Sequence, residues 1–155
     1  MSIRRVIGLS IVGAVLFTLP ALTQEKKIKR SDLPPAVEQA VAVQIQGATV
    51  RGFSVEKENG QTFYEVELMV NGHGKDVLMD ANGAVVEVEE RVEMDSLPPA
   101  VRDGLKAKAG AGKILKVESL TKHGKLVAYE AKVMTDGRKS EVQVGRDGKP
   151  LDHEE

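Results

Sequence analysis

Leu33-Pro34-Pro35-Ala36-Val37 recurs 64 residues later as Leu97-Pro98-Pro99-Ala100-Val101. Further pairs follow in the same order. At the same offset Gly60 matches Gly124, Val50 matches Ile114 and Phe53 matches Val117. One inserted residue moves the offset to 65. There Tyr64-Glu65 matches Tyr129-Glu130, Gly72 matches Gly137, Val77 matches Val142, and Asn82-Gly83 matches Asp147-Gly148. Chance gives one pentapeptide readily. It does not give glycines, an aromatic and turn pairs in one order, so the chain reads as two copies of one unit.

Each copy opens with a helix signal. Ser31-Asp32 and Asp95-Ser96 offer N-caps, and the prolines fall in the first turn, where a missing N–H costs little. Leu33, Val37 and Val41, and likewise Leu97, Val101 and Leu105, stand at i, i+4, i+8 and form one apolar stripe. Helix ends are expected near Gly47 and at Gly110-Ala111-Gly112. Period-two alternation comes next. Tyr64, Val66, Leu68 and Val70 oppose Glu65, Glu67 and Met69, while Tyr129, Ala131 and Val133 oppose Glu130 and Lys132. Asn59-Gly60, Asn71-Gly72, Asp136-Gly137, Asn82-Gly83 and Asp147-Gly148 are turn pairs that tolerate positive φ.

The expected fold is α+β: two tandem repeats, each a helix plus a four-stranded antiparallel sheet. The fourth strand of the second copy, near Leu151, runs into the C-terminus and is short. A unit of about 60 residues is marginal alone. The copies are therefore expected to pack together, their sheets joining edge to edge and covering exposed strand edges.

Composition narrows the chemistry. Hydrophobic residues make up 41% and charged residues 29%, a globular balance. Aromatics are 3% and Trp is absent, which leaves no stacking platform for single-stranded nucleic acid. Cys is absent, which excludes disulfides, thiolate metal sites and thiol nucleophiles. At the N-terminus, Arg4 and Arg5 precede the 14 uncharged residues Val6 to Leu19, then small residues and Glu25-Lys26-Lys27. That is the layout of a secretory signal peptide, and the run is short of the roughly 20 residues a bilayer span needs. An uncleaved anchor is the alternative. Removal through Thr23 takes two arginines and no acid, moving the formal net charge from −1 to −3. The segments are then 1–23 signal peptide, 24–30 charged segment, 31–90 first repeat and 91–155 second repeat.

Leu33-Pro34 to Val37 with Gly60, Tyr64-Glu65-Val66 and Asn82-Gly83 resembles the PepSY-like family, whose members are described as β-lactamase-inhibitor-like. Leu97-Pro98 to Val101, Gly124, Tyr129-Glu130 and Asp147-Gly148 carry the same marks. The resemblance spans nearly all of the chain after the signal segment. It implies an exported, often periplasmic, binding module. Related PepSY domains occur in protease propeptides and restrain peptidases. The β-lactamase inhibitor protein is itself a tandem repeat with a concave sheet that grips an enzyme. This sequence departs from that protein in having no disulfide and no aromatic-rich surface, so the resemblance does not carry β-lactamase inhibition with it.

No catalytic constellation stands out. His73, His123 and His153 lie in or beside turns or at the tail, at unmatched repeat positions, and read as solvated surface residues. No Ser-His-Asp or paired-carboxylate set can be singled out. Gly110-Ala111-Gly112-Lys113 has a phosphate-loop flavour, but Ala107 and Ile114 stand where the motif needs Gly and Ser/Thr, so it reads as a helix terminator. Asp80, Asn82, Gly83 and Glu89 fall at positions 3, 5, 6 and 12 of a calcium loop, but Leu78 would hold position 1. In the second copy Gln143 and Gly145 would hold positions 1 and 3. No cofactor and no metal set is expected from these motifs. Glu65, Glu67, Asp76, Glu130, Lys132 and Glu141 are expected to share the solvated sheet face, either as an ordinary wet surface or as an acidic docking surface.

The function expected is a periplasmic or secreted, non-enzymatic module that binds or inhibits a peptidase-like protein partner in the cell envelope. It would not engage nucleic acid, nor the membrane once the signal is removed. The alternative is an envelope sensor for a small ligand or cation. An enzyme would need a site hidden between the copies. Intact-mass analysis of the chain from an envelope fraction should find an N-terminus at or next to Gln24; a mass that retains residues 1–23 would establish the anchor instead.

Overall fold

The computed structural model describes residues 25–153 and residue 155; the expected signal peptide, residues 1–23, lies outside the described residues. The strands are β1 (Lys26–Ile28), β2 (Thr49–Glu58), β3 (Gln61–Val70), β4 (His73–Asp80), β5 (Val85–Val92), β6 (Lys113–Lys122), β7 (Lys125–Thr135) and β8 (Arg138–Gly145). The helices are α1 (Pro35–Gln44) and α2 (Pro99–Ala109). All eight strands join one antiparallel sheet in the order β1 to β8, each paired with its neighbours in sequence. The fold is therefore α+β, with both helices on one face of a single sheet.

The N-caps lie two residues past the expected Ser/Asp caps. Pro34 and Pro98 occupy the N-cap positions, with no side-chain cap hydrogen bond. Ser31-Asp32 and Asp95-Ser96 instead belong to short 3₁₀ turns just upstream. Proline at N-cap and N1 removes donors that would have no partner in the first turn, so a polar cap is not required. The chain leaves α1 through Gly47 and α2 through Gly110, both at positive φ.

Two apolar clusters result. Val37 and Val41 of α1 are fully buried with Phe53, Val66, Leu68, Val77 and Met79. Val101 and Leu105 of α2 are fully buried with Val117, Ala131, Val133 and Val144. Val88 packs on the first cluster and Val92 on the second, so the same face of β5 serves both. The β5–β6 pairing, from Glu87 with Lys122 to Val92 with Val117, makes the two sheets one.

Several local features recur along the chain. Bulges interrupt β2–β3 between Val50 and Gly52, and β6–β7 between Ile114 and Lys116, at an offset of 64. Asn59-Gly60, His123-Gly124, Asn71-Gly72 and Asp136-Gly137 all have two successive positive φ values, the type I′ pattern that matches strand twist. Gly83 and Gly148 have φ of 81°, and each presses against a helix. A Cβ on Gly83 would lie 2.5 Å from the Ala36 carbonyl oxygen, and one on Gly148 would collide with that of Ala100. The Asn-Gly and Asp-Gly pairs thus serve two purposes: tight hairpins, and close docking of a turn beneath each helix.

The second half differs from the expected four strands. Only β6, β7 and β8 follow α2. After the turn at Gly145–Lys149, Pro150 has no N–H to give a ladder. Leu151 instead comes to lie beside Gly145. Strand β1, not anticipated, pairs Lys26, Lys27 and Ile28 with Val55, Ser54 and Phe53 and caps the β2 edge.

Leu105→Ala should lower unfolding free energy by about 2–5 kcal/mol in denaturant titrations. Gly148→Ala should cost clearly more than Gly60→Ala. Both strain a positive φ, for about 1–2 kcal/mol, but an added Cβ at Gly60 meets nothing.

Candidate functional site

Alternation commits every residue between the core positions to the other sheet face. Ser54, Glu65, Glu67, Asp76, Glu87, Glu89, Glu118, Glu130, Lys132, Glu141 and Gln143 are placed there by register. The face is not flat. Residues of β2 and β7 would stand roughly 24 Å apart in a flat sheet at about 4.8 Å per strand. Yet Glu56 and Lys132 line one groove, of about 520 Å³, with Glu65, Glu67, Asp76, Glu87, Glu89 and Glu141. The bulges in β2 and β6 add local twist and bend, and the sheet curls into a trough.

All six residues that sequence pattern assigned to this face are on it. Glu65, Glu67, Asp76, Lys132 and Glu141 line the groove. Glu130 is on the same face but does not line the groove; it is 7% exposed and accepts a hydrogen bond from Gln143 Nε2 at 3.0 Å. Sequence pattern does not single out Glu56, Glu87 or Glu118, and it places Glu89 only at position 12 of a calcium loop. Period-two patterning in β5 and β6 was the available signal.

The expectation of an ordinary solvated face is corrected. Ser54, Glu118, Glu130 and Gln143 are buried, and so are Leu120 and Ala128 beside them. The C-terminal tail covers part of this face. The backbone N–H of Glu155 donates to Gln143 Oε1 at 2.9 Å, and Glu155 pairs with Lys122 at 3.8 Å.

Some of this charge is paired. Ser54 donates to Glu65 Oε2 at 3.0 Å. Lys27 pairs with Glu67, Lys132 with Glu141 at 3.1 Å, Lys116 with Glu118 Oε1 at 2.5 Å, and Lys122 with Glu87 at 3.7 Å. Among the described residues Asp76 and Glu89 have no side-chain hydrogen bond or ion pair, and acids exceed lysines throughout. Burial pushes the Glu65 carboxyl up to about 7 and that of Glu89 up to about 8, with neighbouring acids adding to both. Burial also raises Asp76, Glu87 and Glu130.

The other motifs do not meet here. Asp80 Oδ1 accepts from the backbone N–H groups of Asn82 and Ala84, both at 2.9 Å, closing its own turn, while Glu89 points into the trough. The calcium loop is therefore not assembled. Gly110-Ala111-Gly112-Lys113 ends a helix, whereas a phosphate loop precedes one. His73, His123 and His153 do not line the groove.

No family model matches the chain, and no curated protein matches it. Solved structures do. A candidate periplasmic protein from Bacteroides eggerthii is 17% identical with a TM-score of 0.62, covering 77% of this chain and 86% of that one. A DUF2874 family protein from Bacteroides ovatus is 20% identical with a TM-score of 0.60, over 77% and 84%. A BLIP-like protein from Bacteroides fragilis is 21% identical with a TM-score of 0.55, over 75% and 81%. At these identities the likeness establishes a shared fold. Among the described residues no helix is long and apolar enough to cross a membrane.

Glu65 and Glu89 hold a proton more tightly folded than unfolded, where the ordinary value of 4.5 applies. Their contribution to stability is full below that value and is lost as pH rises through about 7 and about 8. Melting temperature in low-salt buffer with chelator should fall from about pH 5 to about pH 8. Glu65→Gln should flatten the profile, because an amide does not titrate. A flat or rising wild-type profile contradicts this.

Proposed function

We propose that the protein is an exported, non-enzymatic binding module of the cell envelope, built from two copies of one helix-plus-sheet unit, whose trough receives a cationic segment of a protein partner. The observation that carries this reading is the acid-lined groove, in which carboxylates from five strands face a common space and outnumber the lysines. Holding like charges together in a half-buried trough opposes folding, and a Lys- or Arg-bearing segment would relieve it. The rigid sheet supports the groove floor, so little ordering is required on binding.

Export rests on the Arg4–Thr23 layout, and a periplasmic or secreted setting goes with it. The matched halves support duplication: bulges, type I′ turns and helix-docked glycines recur at offsets of 64 and 65. A peptidase-like partner is the class that the PepSY-like resemblance implies. Lack of a catalytic role is supported by the dispersal of the histidines and by the groove's make-up of carboxylates and lysines; the Ser54 hydroxyl that meets Glu65 is itself fully buried.

Fluorescence anisotropy with a labelled Lys/Arg-rich peptide, beside an acidic peptide of equal length, tests the reading in chelator. The basic peptide should bind and the acidic one should not. Affinity should weaken by about tenfold or more in high salt. Glu65→Lys with Glu87→Lys should abolish binding while the far-ultraviolet circular dichroism stays native. Equal binding of both peptides, or indifference to the charge reversal, would refute it.

A further inference from the structure

We propose that Asp76, Glu89 and Glu118 form a binding site for a hard divalent cation, calcium in class, where the two halves of the sheet meet. The three come from adjacent strands. Asp76 and Glu89 are directly opposed across β4–β5. Glu118 reaches in from β6, two residues from Leu120, the cross-strand partner of Glu89. One carboxylate oxygen from each lies within 4.8 Å of the other two. Two oxygens on one calcium ion, each about 2.3–2.6 Å from it, can be about 4.6–5.2 Å apart. Separations within 4.8 Å let small side-chain rotations bring all three oxygens onto a single ion.

A second observation points to a ligand. Glu118 is 2% exposed, and its Oε2 is buried with no hydrogen-bond partner. Lys116 takes only Oε1. A buried carboxylate oxygen without a donor is costly, and natural folds rarely leave one. A cation shared with Asp76 and Glu89 would satisfy it and offset the repulsion among three acids at once.

The donors select the ion. All are carboxylate oxygens, with no imidazole or thiolate, which favours calcium or magnesium over zinc or copper. Magnesium requires oxygens at about 2.0–2.1 Å in a near-ideal octahedron, at most about 4.2 Å apart. Three carboxylates fixed on separate sheet strands suit calcium, whose coordination geometry is flexible. Lys132 faces the same space but is paired with Glu141. The acids Glu67, Glu87 and Glu130 also face it and add to its negative potential. An ion here would tie β4 of the first half to β6 of the second across β5. It needs no protein partner, so its failure would leave the peptide reading intact.

Calorimetric titration of calcium chloride into the chelator-treated chain, at constant ionic strength, tests the site. One ion should bind with a dissociation constant at or below about 10⁻³ M, the range of extracellular calcium modules. Melting temperature should rise by several degrees in calcium-saturated buffer. Glu89→Gln and Asp76→Asn should each weaken binding by about tenfold or more, whereas Glu93→Gln, an exposed acid outside the trough, should leave it unchanged. In chelator Glu89→Gln should melt at or above wild type, because a neutral amide is easier to bury, and in calcium that order should reverse. Absence of both heat and a melting shift in wild type would overturn the site, as would wild-type affinity in either groove variant.

Discussion

Val37 and Val41 of α1, and Val101 and Leu105 of α2, are buried to completion against one face of one sheet. The rest of the molecule follows from that constraint. A strand turns alternate side chains to opposite faces, so once valine, leucine and methionine occupy the helix side, the residues between them have no choice of side. Those intervening residues are acids in β3, β4, β5 and β7. The hydrophobic register that makes the cores also gathers the carboxylates.

Curvature turns this gathering into a site. On a flat sheet the acids of β2 and of β8 would be independent surface charges, screened by water and worth little to one another. The curled sheet puts them around one groove and partly dehydrates them, and burial dominates the raised protonation of Glu65 and Glu89. A fold optimised for stability alone would not place them so. Lysines at positions 27, 116, 122 and 132 moderate the repulsion without cancelling it. Strained electrostatics of this kind concentrate where proteins bind something.

The sheet must also manage its two ends, since open strand edges invite aggregation. β1 is only three residues long and carries Lys26 and Lys27. β8 begins with exposed Arg138 and Lys139, and the tail beyond it folds back over part of the acidic face through Glu155. Short length, charge and a returning tail are the usual ways of blunting an edge. Internal closure at β5–β6 removes the two edges that separate units would have left bare.

Sequence alone determined the helix stripes, the facing of each strand, most of the tight turns and the six residues assigned to the acidic face. These depend on local periodicity and on residues that tolerate positive φ, and both are written in short windows. His123-Gly124 escaped because histidine is an unusual occupant of a left-handed turn position. Tertiary structure decided what local pattern cannot encode. β1 forms because a strand edge happened to be open beside it. The second half stops at three strands because Pro150 cannot donate to a ladder. The meeting of Asp76, Glu89 and Glu118 was invisible because it depends on strand register and sheet curl, which join residues far apart in the chain through long-range pairing and not through any spacing along it.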